Sequence, residues 1–355
     1  MKQFIGCDAH RRYSVFVARE ESGKTNRPVR VVHDGFALKA YLQGLPAGSE
    51  IAVESTSNWS WLIDAMEAAG HVPHLVHSYR ARKRMPSPNR TDERDAEALA
   101  NLLYDGTIGE VETWIPSGPL RDLRSLMRTR LAFVALRTKL KNRVLAAVNR
   151  YGLRTDELSD LFVGKGRVQL SVYVGSLPPE TRQAATLEWQ MIDELRKQIE
   201  QLEERLQERL GRLGWVRLLK SLPGVGDVLG ATIWLEVGDV TRFPSAAHLA
   251  SYAGLVPTVR SSGGRSRPGG VSRQANHYLK WAFVEAANAI VCHQKKLAGE
   301  HVMRLYRRLK QKKCHGLAAV AVARHLAEAT WWILKRKQPY RAPQASAAKA
   351  SSPHG

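Results

Sequence analysis

The sequence has few cysteines and no long apolar run. Its three cysteines, Cys7, Cys292 and Cys314, are widely spaced and form no CxxC pair. A disulfide framework and a cysteine-built zinc site are therefore both disfavoured. No stretch approaches the roughly 18 apolar residues of a membrane-spanning helix, and the N-terminal residues MKQFIGCDAH lack the apolar core of a signal peptide. We expect a cytoplasmic protein with reduced thiols and no membrane span.

Acidic residues are also scarce relative to basic ones. The 355 residues include 54 Lys and Arg against 33 Asp and Glu, a formal net charge of +21. Such an excess repels itself unless a polyanion neutralises it, which makes nucleic acid the first candidate partner and a membrane surface the second. Hydrophobic residues make up 44% of the chain, which excludes wholesale disorder. The length suggests two or three domains.

Residues 1–117 alternate between β-rich and helical patterns, typical of an α/β domain. Strands are predicted at 2–8, 13–19, 28–33, 50–54 and 72–77. Helices are predicted at about 36–44 and 59–69, and again from Thr91 through DERDAEALANLLY, after a basic loop at 80–90. The order of these elements is similar to the start of a ribonuclease-H-type fold.

Residues 118–214 are predicted to form a long helical, coiled-coil region. The helix over 120–150 carries nine basic residues and one acidic residue, Asp122. This excess favours nucleic-acid contact over an ordinary solvated face, and we single out Arg124, Arg128, Lys139 and Arg143. A second helix, at about 180–213, has a near-heptad apolar seam. It consists of Ile192, Leu195, Ile199, Leu202, Leu206, Leu210 and Leu213. The seam fits either an antiparallel hairpin within the chain or a dimer.

Residues 215–338 are predicted to form a mainly helical C-terminal domain. Its motif LPGVG at 222–226 is typical of the turn in a helix-hairpin-helix. Gly224 and Gly226 would let backbone N–H groups approach a phosphate at a helix N-terminus, although a plain helix–helix turn has the same pattern. Residues 339–355 are small, polar and low in complexity, and we predict a disordered tail.

Four carboxylates have the spacing of a metal site. Asp8 and Glu54 lie at the ends of two predicted strands, and Asp92 and Asp95 lie three residues apart on a predicted helix, so that both project from one face. Mg²⁺ prefers such hard oxygen ligands, and two ions can clamp the attacking and leaving oxygens of a phosphodiester. Taken singly, Asp92 fits a helix cap and Asp8 a turn. Together, in a chain of net charge +21, the four predict a magnesium site.

Serines, arginines and glycines alternate in residues 254–273. Ser261 and Ser262 have Arg260, Arg265, Arg267 and Arg273 as neighbours. A serine hydroxyl needs help to attack a phosphodiester, and arginines can neutralise the phosphate while a metal or a base takes the proton. Residue types alone nevertheless favour a flexible solvated loop over a catalytic one.

Several motifs in order along the chain resemble one family. They are GCDAH at 6–10, IAVES at 51–55, RTDERDA at 90–96, LPGVG at 222–226, LASYAGLVP at 249–257, SSGG at 261–264 and GGVSRQANHYLKWAFVEAA at 269–287. From about residue 4 to 335, the chain resembles the DEDD-type insertion-sequence transposases, recombinases that use a bridge RNA. Arg94 is a departure, since the family more often has an apolar residue there.

The resemblance implies a RuvC-like N-terminal domain, with Asp8, Glu54, Asp92 and Asp95 as catalytic Mg²⁺ ligands. It also implies a C-terminal transposase domain whose nucleophile is Ser262, or its neighbour Ser261. Its implied partners are the DNA of the element ends and target, a noncoding bridge RNA, and further copies of the chain in a homodimer or homotetramer. The implied location is the bacterial nucleoid. The alternatives are a metal-dependent nuclease resembling Holliday-junction resolvases, which needs no serine, and a non-enzymatic nucleic-acid-binding scaffold.

Overall fold

A computed structural model describes residues 3–56, 59–84, 90–153, 160–211, 213–262, 265–271 and 274–343. The chain divides into two compact units, Met1–Gly118 and Pro119–Gly355. Within the described ranges, no helix combines the length and the apolar character needed to cross a bilayer.

The first unit is a five-stranded sheet with helices on both faces. Its strands are Gln3–Ala9 (β1), Tyr13–Glu20 (β2), Val29–Val32 (β3), Glu50–Glu54 (β4) and Val72–Val76 (β5). Its helices are Ala37–Gln43 (α1), Trp59–Ala68 (α2), Ser78–Arg84 (α3) and Asp92–Tyr104 (α4). The spatial order is β3-β2-β1-β4-β5. β1, β2 and β3 pair antiparallel, whereas β4 lies parallel to β1 and β5 parallel to β4.

Alternation along β1 decides which helices cover which face. Ile5 and Cys7 are fully buried in the core that α1 and α2 close. Gly6 faces α4 instead, as does Asp8, two residues further along the same strand. This sheet with helices on both faces is compatible with the predicted RuvC-like domain. The predicted loop at 80–90 is wrong in its first half, because residues 78–84 form α3.

The second unit is mainly helical. Its helices are Gly118–Arg150 (α5), Gly164–Gly175 (α6), Pro179–Leu210 (α7), Gly214–Leu219 (α8), Asp227–Val237 (α9), Ala246–Tyr252 (α10), His277–Cys292 (α11), His301–Lys310 (α12) and His315–Arg336 (α13). Its two strands, Pro257–Ser262 (β6) and Arg265–Val271 (β7), pair antiparallel.

The apolar seam of α7 packs inside the chain. Ile192 lies in one core with Val144 and Val148 of α5, and Leu206 lies in another with Met127 of α5. Ion pairs join α5 to α7 in the reverse order, Arg130 with Glu203 and Arg143 with Glu188, so the two helices run antiparallel. Of the two arrangements that fit the seam, the structure shows the one within the chain.

The largest core is formed by helices α8, α9, α10, α11, α12 and α13. Leu249, Phe283, Ala286 and Leu326 are fully buried there. The chain continues past α13 as an ordered segment, because the Tyr340 N–H donates to Ser221 Oγ at 2.7 Å and the Tyr340 ring packs against this core. The predicted disordered tail is therefore wrong for its first residues. Residues 344–355 of that tail lie outside the described residues.

Candidate active site

Two neighbouring strands bring carboxylates to one edge of the first sheet. The parallel register pairs Cys7 of β1 with Val53 of β4. Asp8 and Glu54 are the next residues on these strands, so both lie at the same strand ends. Asp8 is buried, and Glu54 is half-buried.

The N-terminus of α4 supplies the other two carboxylates. Thr91 begins the helix, and its side chain accepts a hydrogen bond from the Arg94 N–H at 3.3 Å. Asp92 and Asp95 lie in the first turn, where the helix dipole favours negative charge. Arg90, just before the helix, donates from Nε and Nη2 to Asp95 Oδ1, both at 3.1 Å.

Gly6 allows α4 to lie directly against β1. A Cβ atom at this position would stand 1.8 Å from the carbonyl oxygen of Ala96 and 2.6 Å from the amide nitrogen of Ala100. Both atoms belong to the helix backbone, so no side-chain rotation relieves the clash. The absence of a side chain at Gly6 thus sets the distance between the helix that carries Asp92 and the strand that carries Asp8.

We expect Gly6→Ala to displace α4 and to lower both stability and cleavage of DNA. Overpacking typically costs about 1–3 kcal/mol, and a clash with backbone belongs at the upper end. Thermal unfolding and a DNA-cleavage assay measure the two effects. Gly35→Ala is the matched control, because a Cβ at Gly35 meets nothing within 4 Å. Equal behaviour of the two variants would contradict this role for Gly6.

His10 and Tyr13 complete the site, and the sequence interpretation missed both. His10 Nε2 lies 3.1 Å from Asp8 Oδ2 and 3.2 Å from Asp92 Oδ2. The Tyr13 hydroxyl donates to Asp92 Oδ2 at 2.9 Å. One signal was available, since His10 is two residues after Asp8, the spacing that places residues on one face of a strand.

Burial and like charge shape the electrostatics of the site. Burial raises the pKa of Asp8 above its usual range, and the negative charges of Asp92 and Asp95 add to this while His10 opposes it. The hydrogen bond to Asp92 raises the pKa of Tyr13. Ionisation of Asp8 therefore costs free energy, which is typical of sites that bind a cation.

Three of these residues fit a metal ion. The candidate ligand atoms of Asp8, His10 and Asp92 all lie within 4.8 Å of one another. Glu54 and Asp95 are not members of this group, although strand register and the first turn of α4 bring them to the same edge. Carboxylate oxygens and an imidazole nitrogen together suit a divalent ion.

Two sequence profiles of one family match this chain. Residues 5–152 match the profile of the IS110-type DEDD transposases, and residues 216–302 match the profile described as "Transposase IS116/IS110/IS902 family". The chain belongs to the DEDD-type insertion-sequence transposases. It is similar to the transposase for insertion sequence element IS1111A of Coxiella burnetii, with 25% identity across 76% of this chain and 73% of that protein. It is also similar to the transposase for insertion sequence element IS1328 of Yersinia enterocolitica, with 24% identity across 80% and 83%.

Membership of this family makes the chain a DNA-binding enzyme that cuts and rejoins DNA. Transposases of the DEDD type typically depend on a divalent metal ion, and the acidic cluster described above suits one.

Arg124 and Arg128 of this transposase are both hydrogen-bonded within the second unit. Arg124 is buried and donates to the carbonyl oxygens of Leu235 at 2.6 Å and Glu236 at 3.0 Å. Arg128 forms a bidentate pair with the buried Glu236 carboxylate, both distances being 2.8 Å. The prediction that Arg124 contacts nucleic acid is wrong for this fold, because its guanidinium is enclosed and engaged. Arg128 is half exposed, but its charge is matched by Glu236.

Glu236 also connects these arginines to Asn276. The Asn276 side chain donates to Glu236 Oε2 at 2.8 Å and accepts from the N–H groups of Tyr278 and Leu279 in the first turn of α11. The Asn276 N–H donates to the carbonyl oxygen of Tyr252 at 2.8 Å. Tyr252 and Asn276 flank the segment that contains β6 and β7, so this network joins the residues that precede the strand pair to those that follow it.

The rest of the predicted basic face is mixed. Arg143 pairs with Glu188 but remains largely exposed, and Lys139 is exposed. Lys141 lies 3.8 Å from Asp160. Carboxylates from distant parts of the chain thus neutralise several cations of α5, and Lys139 and Arg143 remain the candidates for contact with a nucleic acid.

The LPGVG turn connects α8 to α9. Gly224 has a φ of +76°, and a Cβ there would lie 2.3 Å from the carbonyl oxygen of Ala286. Packing against α11 therefore accounts for this glycine. Gly226 precedes α9 and has open space around its Cα. The carboxylate of Asp227, in the first turn of α9, lies 2.6 Å from Lys220 Nζ.

The serine segment is a strand pair rather than the loop that residue types favoured. β6 ends at Ser262, and β7 begins at Arg265. The register pairs Ser262 with Arg265, Ser261 with Ser266, and Arg260 with Arg267. Gly263, Gly264 and Arg273 lie outside the described residues. Ser262 is thus the last strand residue before the connection between β6 and β7.

Proposed function

We propose that this transposase cuts and rejoins DNA with two sets of groups, a carboxylate cluster that holds Mg²⁺ and a serine nucleophile, Ser262. The metal site is supported by one observation: the candidate ligand atoms of Asp8, His10 and Asp92 lie within 4.8 Å of one another. Asp8 and Asp92 offer hard oxygen ligands, and Glu54 and Asp95 complete the four carboxylates. Tyr13 orients Asp92 through its hydrogen bond. When bound, Mg²⁺ polarises the attacked phosphate and favours the deprotonated hydroxyl.

Ser262 attacks the phosphorus atom of a DNA phosphodiester. The bond from phosphorus to serine Oγ forms, and the bond to the leaving deoxyribose oxygen breaks. The serine gives up its proton, and the leaving oxygen takes one up. Rejoining reverses the exchange, when the hydroxyl of another strand displaces the serine. The bond energy is kept in the phosphoserine, so no external energy source is needed.

Arginines near Ser262 support this role. The register pairs Arg260 with Arg267 and Ser262 with Arg265. Guanidinium groups bind phosphate through charge-assisted hydrogen bonds and stabilise charge that builds up on it during a reaction. We assign Arg260, Arg265, Arg267 and Arg273 to phosphate binding, with Lys139, Arg143 and the turn at Gly224 and Gly226 as further DNA or RNA contacts.

The remaining parts of the proposal concern partners. A bridge RNA selects the element ends and target by base pairing, and the basic excess of the chain provides its binding surface. The working enzyme is a homodimer or homotetramer, in which the serine of one subunit acts beside the carboxylates of another.

The test uses the full chain and labelled DNA that spans an element end, together with the transcript of the DNA flanking the coding region. We expect cut DNA and a covalent protein–DNA adduct on a denaturing gel, both lost in EDTA and both restored by excess Mg²⁺. Omission of the transcript should abolish cutting. Undiminished cutting in EDTA would contradict the metal site, and cutting without any adduct would favour a resolvase-like nuclease.

A further inference from the structure

A groove lies between the C-terminal half of α13 and the segment that follows it. Lys337 ends α13 with a φ of +56°, and the chain then turns back along the helix. The groove encloses about 390 Å³ and is lined by His325, Trp332, Arg336, Tyr340 and Arg341, among others. This volume lies within the range of pockets for small ligands.

The outer wall of the groove is fixed to the rest of the unit. The Tyr340 N–H donates to Ser221 Oγ at 2.7 Å, and the Tyr340 hydroxyl lies 3.0 Å from His325 Nε2. Burial raises the pKa of Tyr340 to about 12, so its hydroxyl stays neutral. The groove therefore has a preformed shape and does not depend on a ligand to close it.

The floor of the groove presents flat, stacking side chains to solvent. Trp332 is 46% exposed, although a tryptophan normally gains by burial. Its ring stands edge-on to Trp331, which is held by a hydrogen bond from Nε1 to the Phe243 carbonyl oxygen at 2.9 Å. The Arg336 guanidinium lies 4.2 Å from the centre of the Trp332 ring. A planar ring can stack on this pair of indole and guanidinium groups.

The charge around the groove is positive. Arg336 and Arg341 line it, and Lys335 and Lys337 flank Arg336 in sequence. Glu328, the acidic lining residue, is paired with Arg324 at 2.8 Å. The ligand that fits a stacking floor and a cationic rim carries a planar ring and a negative charge.

We propose that this groove binds an unpaired nucleotide of a single-stranded nucleic acid, with the base on Trp332 and Arg336 and the phosphate near Arg341. Stacking of bases on aromatic and guanidinium groups beside cations is the general mode of single-strand binding. The site uses none of the residues of the carboxylate cluster or of the serine strand pair. It is anchored at Ser221, directly before the LPGVG turn, so a backbone that follows that turn would deliver a base to the groove.

Binding of fluorescent 12-nucleotide probes to the full chain tests the site, with oligo-U RNA, oligo-dT DNA and a DNA duplex as the three arms. We expect Trp332→Ala to weaken single-strand binding about five- to 150-fold, the range for loss of one base stack, and to leave duplex binding unchanged. Trp332→Phe should retain most of the affinity. Trp61→Ala is the matched control, because Trp61 is similarly exposed, at 42%, in the first unit.

A photo-crosslink locates the contact. We expect 5-bromouracil in the single-stranded probe to crosslink within residues 325–343, and the crosslink to disappear in Trp332→Ala. Weaker binding of the RNA probe, the single-stranded DNA probe or both by Trp332→Ala would support the site and show which nucleic acid it binds. Unchanged affinity in both single-stranded arms, an equal loss with duplex, or crosslinks that all map elsewhere would overturn it. Thermal melting of each variant establishes that it is folded.

Discussion

Asp8→Asn should strongly slow strand cleavage while DNA binding persists. The variant keeps the size of the side chain but removes one of the hard, negatively charged ligands at the cluster. Loss of several kcal/mol of transition-state stabilisation lowers the rate by on the order of 100- to 1,000-fold, since each 1.36 kcal/mol is tenfold. Labelled DNA on a denaturing gel measures cleavage, and fluorescence anisotropy measures binding. Full cleavage by Asp8→Asn would exclude Asp8 from the chemistry.

The same variant should leave the metal-free protein at least as stable as the parent. Burial and the charges of Asp92 and Asp95 raise the pKa of Asp8, so its ionised form opposes folding at neutral pH. Neutral Asn removes that opposition, and the difference from the parent should vanish as the pH falls and Asp8 becomes protonated. Glu93→Gln on the exposed side of α4 is the matched control, with cleavage unchanged. A melting temperature well below that of the parent would show that Asp8 supports the fold rather than the reaction.

The first unit follows closely from its sequence. Its five strands match five short β-rich runs, and the placement of Asp8 beside Glu54 follows from two strands that end on carboxylates and pair in parallel. Asp92 and Asp95 were recognisable as one turn of a helix. The close contact between this helix and the sheet could not be predicted from the sequence, because it depends on the backbone of Ala96 and Ala100 opposite Gly6.

Long-range partners explain what the sequence interpretation missed. The charge pattern of α5 predicted a nucleic-acid-binding face. A count of charges along one helix, however, omits the carboxylates that other parts of the chain contribute. Glu188, Glu203 and Glu236 are 45 to 108 residues away from the arginines they bind. Tyr13 is likewise 79 residues from Asp92. Side-chain pairing at such separations is set by the tertiary fold.

Local secondary-structure propensity gives the wrong prediction in two further places. Residues 257–262 and 265–271 are rich in Ser, Arg, Gly and Pro, which are poor or indifferent strand formers, yet they pair as β6 and β7. Helix α6 was not predicted, since three glycines in its twelve residues lower helical propensity. Buried contacts of Leu170 and Val174 with α5 and α7 compensate, which is tertiary packing overriding propensity.

Ser262→Ala should yield a folded protein that binds DNA and forms neither adduct nor recombined product. The hydroxyl is the atom that would bond to phosphorus, and its removal leaves the carboxylate cluster intact. A denaturing gel of protein with labelled DNA compares Ser262→Ala with Ser261→Ala and with Ser266→Ala, the residue paired with Ser261. An adduct that survives Ser262→Ala but vanishes with Ser261→Ala would move the nucleophile by one residue.

A mixture of two inactive variants separates a site shared between subunits from a site within one chain. Asp8→Asn retains the serine, and Ser262→Ala retains the carboxylates. In a dimer whose serine works beside the partner's carboxylates, each mixed dimer has one complete site and one that lacks both groups. With free exchange of subunits, half of the dimers are mixed, so adduct should return to about a quarter of the parent level. In a site built within one chain, every site lacks one group and the mixture stays inactive. Recovery of adduct after co-refolding, with none from either variant alone, would therefore establish both residues as catalytic and show that they act in different subunits.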